Sequence, residues 1–500
     1  MQALKSWVSK ATGITCHSDM VRPGYIFVAI CGRTIDGNAF AQTAADRGAL
    51  VIVSDCPDHL PPLRIPFLVV ANARLALSEL AAALYENPSH KLKLIGVTGS
   101  NGKTTIACLL EHIFAQSGFQ TGLIGTVRVN TGKNAIPSTL TTPDAVSLQH
   151  YLSQMLSNKV THAAMEVSAQ GVEMHRVAHV HFSTGILSNL CADHLDFHGN
   201  FASYLAAKAK FLNLLTPSTP LIVNIADPYC QVITSHFTGN LITAAVNSPA
   251  DICATITHLT SYGSGFTLTI NKPLIALTGQ PLPASQYAMT LAIPGRHNIE
   301  NALLATAAAL LHGISPADVA QALANFRGVE RRMDIFHLDG LIVVDDTALN
   351  PGSIEAVFDT ISTLRYQRLV VVNAIRGQRG PAINAANAAT LARARRKLPF
   401  SLIITDSADQ VGPADTVTPE ESLAFQTTLN TLKTDYTYTN TLPAAITAAL
   451  SHVVAGDLIV LIGAQGMDTG RQVLTTMMKS PNAHGPTQIY QPRLALQPDT

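Results

Sequence analysis

Residues 93–116 read KLIGVTGSNGKTTIACLLEHIFAQ. KLIGVT, Lys93 to Thr98, is a short apolar, β-rich run of the kind that forms a buried strand. From about Lys103 to Gln116 the pattern is helical, and Gly118 stops it. Between them TGSNGKTT, Thr98 to Thr105, supplies a glycine-rich turn in the strand–turn–helix context that a P-loop requires. Glycines let the backbone curl until successive N–H groups face one anion, and the helix N-terminus adds positive potential. Gly99, Ser100, Asn101, Gly102, Lys103, Thr104 and Thr105 are therefore expected to hold a nucleoside triphosphate. Lys103 would meet the β- and γ-phosphates, and the Thr104 hydroxyl would ligate Mg²⁺. The string departs from G-x-x-x-x-G-K-[ST] at Val97, which stands in the first glycine position. A chance glycine turn with an incidental lysine is the bland alternative, and it leaves the flanking strand and helix unexplained.

Working outward, short β-rich runs alternate with helical patterns, which argues for α/β architecture with mainly parallel sheets. A first unit runs to about Pro88, with strands expected at 25–30, 49–54 and 67–71, and ENPSHK reads as a linker. The P-loop unit continues through strands at 162–167, 184–190 and 221–224. An antiparallel annex follows between about Ile252 and Ile293, then a helix after Asn298. A third unit begins near Val329, with strands at 341–346, 369–375, 401–406 and 457–463. The boundaries are thus 1–90, 91–328 and 329–500, and the Pro- and Gln-rich stretch after about Ser480 is expected to be loosely ordered. Five hundred residues suit about three domains.

Apolar residues make up 47% and charged ones 13% of the chain, so it can bury sizeable cores and is not a disordered composition. Lys+Arg and Asp+Glu both number 33, a balance that gives no argument for nucleic acid or an acidic membrane as partner. Seven scattered cysteines without a C-x-x-C pair suit reduced thiols in the cytoplasm. Neither a secretory leader nor a membrane-spanning apolar run is apparent.

Further strings fall in a fixed order along nearly the whole chain: VRPGYIFVAICG with Asp36, Gly37 and Phe40, then GLIGT, LTTPD, MEVSAQGVEMHR, SNLCADHLDFHG, SYLAAKAKF, PGRHNIENALLA and ERRMDIF. With GSNGKTT, this set resembles the Mur ligases, most closely the branch that adds the third amino acid to UDP-N-acetylmuramoyl-dipeptide. The resemblance implies three domains: an N-terminal acceptor-binding domain, a central P-loop ATPase and a Rossmann-like C-terminal ligase domain. The implied reaction is ATP-dependent: a carboxylate attacks the γ-phosphate, giving ADP and an acyl phosphate that an amine then opens to an amide. Cations must be held where negative charge gathers around the transferring phosphoryl group.

The resemblance assigns Glu166 and His194 to Mg²⁺, and Lys208 to the lysine that the family carries as a carbamate, a second metal-facing anion. Asn298 and Asn301 match the adenine-side asparagines, although either could cap a helix. Arg332 and Asp346 match residues that contact ATP. Ser18, Thr141, Thr142, Ser168 and Arg176 match positions that hold the UDP-muramoyl-peptide acceptor. Without the resemblance, Glu166 reads as a capping or surface carboxylate and Lys208 as a solvated lysine. Asp193, His194, Asp196 and His198, with His175, His179 and His181 nearby, could read as a zinc cluster, though adjacent residues on one short loop rarely close a tetrahedral site.

The substrate side departs from the family. D-S-R reads His17-Ser18-Asp19, MEVSSH has Gln170 for histidine, and D-Y-A-H-x-P reads Asp346-Thr-Ala-Leu349-Asn350-Pro351. D-N-P-R, whose arginine reads the incoming diaminopimelate carboxylate, has become Asp406-Ser-Ala-Asp409, so meso-diaminopimelate is disfavoured. Arg376 and Arg379 in NAIRGQRG are candidates to take over anion recognition. Three readings follow: a ligase with an unusual amino acid or a different carboxylate as substrate, a degenerate nucleotide-binding homologue acting as scaffold or regulator, or an unrelated P-loop phosphotransferase or NTPase, for which the order of the strings would be coincidence.

Overall fold

The computed structural model describes residues 6–32, 35–191 and 200–479. They divide into two compact units, Met1–Val329 with Asn350–Leu364, and Glu330–Leu349 with Arg365–Thr500. The short return of 350–364 to the first unit interrupts the contiguous third unit expected from 329 onward. Its Pro351–Ile361 helix is started by a capping box between Asn350 and Ser353, and Asn350 is bonded to the P-loop, as described below.

In the first unit, β1 (Gly13–Thr15), β2 (Tyr25–Ala29), β3 (Val51–Ser54) and β4 (Phe67–Val69) form a parallel sheet in that order. The Ala73–Leu84 helix packs on it, its first turn capped by the Asn72 side chain. ENPSHK is not an open linker, because Pro88–Lys91 closes into a 3₁₀ turn with Pro88 and Ser89 buried.

A second sheet contains β5 (Lys93–Thr98), β6 (Thr121–Ile124), β7 (Arg128–Asn130), β8 (Ala135–Pro137), β9 (His162–Glu166), β10 (Thr184–Leu187), β11 (Leu221–Asn224), β12 (Leu241–Val246), β13 (Ile252–Leu259) and β14 (Ser264–Ile270). After a two-stranded ribbon, β15 (Leu274–Ile275) and β16 (Pro281–Leu282), β17 (Ser285–Leu291) completes it. The order is β17-β14-β13-β12-β11-β10-β5-β9-β6-β7-β8. The middle, from β13 to β6, is parallel; β14 and β17 at one end and β7 and β8 at the other run antiparallel to their neighbours. The antiparallel annex thus extends the P-loop sheet itself, and the alanine-rich LITAAV of β12, whose β signal is weak in sequence, joins the two parts.

β5 sits in the middle because it is apolar on both faces, as a parallel strand covered by helices must be. The Lys103–Gln116 helix covers one face, packed against Arg296–Leu311 around Ile106, Leu109, Leu110, Leu303 and Leu310. Arg296–Leu311 begins before Asn298, with Gly295 as its N-cap residue.

The second unit has a six-stranded sheet of β18 (Asp334–Leu338), β19 (Leu341–Asp346), β20 (Leu369–Ala374), β21 (Ser401–Thr405), β22 (Thr437–Thr439) and β23 (Leu458–Ile462). Its order is β18-β19-β23-β20-β21-β22, parallel except for the β18–β19 hairpin.

Candidate active site

Register brings the site together. Val97 of β5 pairs with Glu166, the last residue of β9, and Thr98 pairs with Leu187, the last residue of β10. The P-loop therefore leaves the sheet between Glu166 on one side and Ser188 and Asn189 on the other. Asn189 takes two P-loop N–H groups: Ser100 N donates to its carbonyl (2.7 Å) and Asn101 N to its side-chain oxygen (2.9 Å). The Ser188 hydroxyl donates to Asn101 O at 2.6 Å. The loop needs its glycines: a Cβ on Gly99 would lie 2.0 Å from Ser188 Oγ, and one on Gly102 would lie 2.2 Å from Asn301 Oδ1. No side chain caps the helix that starts at Lys103, so its positive end is presented by the loop rather than closed by the chain.

Lys103 Nζ donates to the carbonyls of Gly99 and Ser100, both at 2.9 Å. Thr104 is buried and donates to Glu166 Oε2 at 3.0 Å. Glu166, 1% exposed, is not the surface carboxylate that the bland reading allows. It also accepts from Thr126 N (2.7 Å) and the Thr126 hydroxyl (3.1 Å), and Thr126 Oγ1 lies 3.0 Å from Thr141 Oγ1. A continuous line of hydroxyls and one carboxylate thus leads from the P-loop to Thr141, the first of the residues expected on the acceptor side. Hydroxyl and carboxylate oxygens are the hard donors that suit Mg²⁺.

Lys208 is 2% exposed, which overturns the solvated-lysine alternative. Its Nζ donates to Gly99 O at 2.7 Å and stands 5.6 Å from the centre of the Tyr204 ring. The Tyr204 hydroxyl lies 2.8 Å from Ser100 Oγ. Thr105 is buried in the first turn of the helix. Asn301 faces Gly102, and Asn298 donates to Pro294 O (2.7 Å) from inside the first turn; neither is an N-cap. His194 lies outside the described residues, as do Asp193, Asp196 and His198.

Thr142 and Ser168 brace the end of β9. The Thr142 hydroxyl donates to Glu166 O (3.0 Å) and accepts from Ser168 N (2.9 Å), while Ser168 Oγ accepts from Gly171 N. Arg176 donates to Thr142 O at 2.8 Å; burial lowers the proton affinity of its guanidinium. Thr141, Thr142, Ser168 and Arg176 therefore gather beside Glu166. Ser18 lies in a 3₁₀ turn of the first sheet's unit.

In the second unit the arginine of ERRM with acidic partners is Arg331: it bonds Asp345 (3.2 Å) and Asp468, and Gly463 O. Arg332 donates to Arg331 O. Asp346 accepts from Met333 N at 2.6 Å, and burial raises its carboxyl above the usual range, opposed by Arg332. Arg379 pairs with Asp415 at 3.1 Å, Arg376 is buried and donates to Leu349 O, and Asp406 accepts from Tyr438 OH (2.7 Å) and Ser422 Oγ (3.0 Å).

Sequence reasoning passed over Thr126, Ser188, Asn189, Tyr204 and Asn350. Asn350 exchanges side-chain hydrogen bonds with Asn101 at 3.0 and 3.3 Å. Its signal was present, since it holds the variable position of the D-Y-A-H-x-P string, where nothing marks it as special.

A strand, a glycine cradle, an uncapped helix start and a hydroxyl–carboxylate pair define a P-loop nucleotide-binding protein. Residues 97–309 match the Mur ligase middle domain, 331–465 the Mur ligase, glutamate ligase domain, and 10–85 the Mur ligase family, catalytic domain. The UDP-N-acetylmuramoyl-L-alanyl-D-glutamate–2,6-diaminopimelate ligase of Geobacillus thermodenitrificans is 33% identical over 366 residues, 72% of each chain. That of Bacillus velezensis is 29% identical over 472 residues, covering 92% of this chain and 90% of its own. Among solved structures, MurF from Acinetobacter baumannii has a TM-score of 0.69 at 20% identity, over 96% of this chain and 98% of its own. MurF ligase from Thermotoga maritima in complex with ADP has a TM-score of 0.67 at 15% identity, over 94% and 98%. The chain belongs to the Mur ligase family, has its three-domain architecture, and is an ATP-dependent, ADP-forming amide-bond ligase. No helix among the described residues is long and apolar enough to cross a membrane.

Proposed function

We propose that this ligase works in the cytoplasm, extending a UDP-muramoyl-peptide-like carboxylate with an amino acid other than meso-diaminopimelate. The observation that carries the reading is the line Thr104–Glu166–Thr126–Thr141, which joins the phosphate cradle to the acceptor-side residues. It would set an acceptor carboxylate next to the terminal phosphate, the proximity that the first half of the reaction requires. Lys103, Gly99–Gly102 and Thr105 would hold ATP, with Asn298 and Asn301 on its adenine side. Thr104 and Glu166 would hold Mg²⁺, with His194; the ion would neutralise charge on the β- and γ-phosphates. Lys208, buried against Gly99, suits carbamylation, which would make its tip a further oxygen ligand. Arg332 and Asp346 would contact ATP. Ser18, Thr142, Ser168 and Arg176 would hold the acceptor, an arginine with clustered hydroxyls suiting a carboxylate or pyrophosphate. The altered amino acid rests on Asp406-Ser-Ala-Asp409, which lacks an arginine fork, and on Tyr438 and Ser422 already holding Asp406.

The test is phosphate release over a panel of amino acids with UDP-muramoyl peptides. ADP formation that depends on a non-diaminopimelate amino acid is the expected result; preference for meso-diaminopimelate overturns the substrate reading, and no turnover with any pair favours the scaffold. Lys208→Ala should abolish turnover while retaining ATP binding, with recovery by added short carboxylates. Wild-type turnover in that variant removes Lys208 from the chemistry.

A further inference from the structure

The first sheet carries a second cluster of chemically able side chains, away from the P-loop. Ala29 of β2 pairs with Ser54 of β3 as the last register pair of two neighbouring parallel strands. Cys31 and Cys56 each stand two residues beyond that pair, so both thiols leave the same edge of the sheet side by side. His59 follows in the 3₁₀ turn Pro57–His59. The two Sγ atoms and a ring nitrogen of His59 all lie within 4.8 Å of one another. A tetrahedral Zn²⁺ with bonds of about 2.0–2.3 Å sets its ligand atoms about 3.3–3.8 Å apart. Closing that gap takes roughly an ångström of side-chain movement by exposed or half-buried residues.

The second observation is the polar spine behind these ligands. Asp36 Oδ2 is 2.7 Å from His59 Nδ1. A carboxylate on Nδ1 selects the tautomer with its proton there and leaves Nε2 with a lone pair, the arrangement found behind metal-ligating histidines. Asp36 Oδ1 is held by Asn38 N (2.9 Å) and Asn38 Nδ2 (2.8 Å), Asn38 Oδ1 accepts from Ser54 Oγ (2.7 Å), and Ser54 Oγ accepts from Cys56 N (2.9 Å). Asn38 and Ser54 are fully buried. One hydrogen-bonded chain therefore runs from the backbone of one thiol residue to the imidazole, through groups that cannot reorient cheaply. Cys31 is tied to the same chain by its backbone bridge to Asp36.

We propose that Cys31, Cys56 and His59 form a Zn²⁺ site that staples the ends of β2 and β3, with water completing the tetrahedron. Two thiolates and one imidazole select a borderline-soft ion over Mg²⁺, which takes oxygen ligands. Binding converts two S–H groups to thiolates and releases their two protons to solvent; no electrons are transferred. The site is independent of the proposed substrate, and its test does not read turnover.

The experiment uses the full chain, reduced and stripped with chelator, titrated with Co²⁺ and then Zn²⁺ against a chromophoric chelator. One equivalent of Co²⁺ should give a thiolate-to-cobalt charge-transfer band that Zn²⁺ abolishes, with a Zn²⁺ Kd on the order of 0.1 µM or tighter. Cys31→Ser with Cys56→Ser should remove the band, and Asp36→Asn should weaken binding about 10-fold through loss of the imidazole's orientation. Circular dichroism checks that each variant is folded. A wild-type chain without the band, or a double serine variant that binds with the same stoichiometry and affinity, overturns the site.

Discussion

Two loops in this molecule share one plan: a buried parallel strand, a glycine-containing turn and a helix start. The first follows β5 and runs from Gly99 to Gly102; the second follows β20 and runs from Arg376 to Gly380. In the second, the backbone N–H groups of Gln378, Arg379 and Gly380 converge on the carboxylate of Glu421, at 3.0, 2.7 and 2.6 Å. Glu421 is buried and also accepts from Thr418 N. The chain has filled its own anion nest. In the first loop no carboxylate of the chain takes that place among the described residues; asparagine and serine side chains hold the loop from its flanks. A strand–glycine–helix turn is a site when the surrounding chain shapes it and leaves its centre to a ligand.

The sharpest way to break this comparison is at the first loop. Lys103→Ala should lower ADP formation by at least about 100-fold, the cost of removing one preorganised cation from a phosphoryl-transfer site. Gly102→Ala should also release nucleotide, since its Cβ meets Asn301 and its φ is 86°. Retained turnover in both would show that the loop is not the nucleotide cradle.

Next in size, Glu421→Ala should leave three converging N–H groups without their acceptor and destabilise the second unit by about 2–4 kcal/mol. The readout is a lower denaturant midpoint with unchanged ATP retention; a midpoint equal to wild type would mean that the nest is not structural.

Acid should separate the two units. His162 and His312 adjoin one another in the first unit, ring centres 5.5 Å apart. Burial depresses them from 6.5 to about 4 and about 3. Both are thus neutral when folded, and the unfolded chain binds their protons first. Their contribution is present above pH 6.5 and declines as pH falls toward 4, by about 1.4 kcal/mol per unit for each ring. In the second unit burial raises Asp345 from 3.8 to about 6, with Arg331 opposing. The folded state keeps that proton longer, so its contribution falls as pH rises from about 4 through 6. His162→Phe should flatten the acid limb of the first unit's unfolding curve, and Asp345→Asn the opposite slope of the second. Slopes unaltered by these substitutions would contradict both signs.

The smallest effect sharpens the glycine argument. Gly380 has φ 88° and ψ 160°, an extended conformation open essentially to glycine alone, but a Cβ there would have nothing within 4 Å, so Gly380→Ala should cost only that backbone penalty of about 1–3 kcal/mol in thermal stability. A cost as large as that of Gly102→Ala would mean that backbone conformation alone, and not the space taken by Asn301, is limiting at both loops.

The P-loop, its strand and its helix were legible in residues 93–116 because local chemistry specifies them: an apolar run, glycines and a clean helix stop. The family membership was legible for a similar reason, through ordered strings that each encode a local turn or strand end. What the strings could not convey was occupancy. Arg376, Arg379 and Asp406 stand in strings that show no partners in sequence, yet Arg376 donates to Leu349 O, Arg379 pairs with Asp415, and Asp406 accepts from Tyr438 and Ser422. Asn350 looks like a spacer, yet it bonds Asn101.

By itself, then, the sequence determined the phosphate cradle, the α/β layering and the family, because each depends on neighbours within a few residues. Only the tertiary structure decided which polar groups remain available to a ligand. It aligned Glu166 with Val97, and it set Cys31 beside Cys56. Those outcomes follow from strand register, which joins residues tens of positions apart through backbone hydrogen bonds and the burial of whole strand faces, neither of which marks in the local sequence which residues will meet.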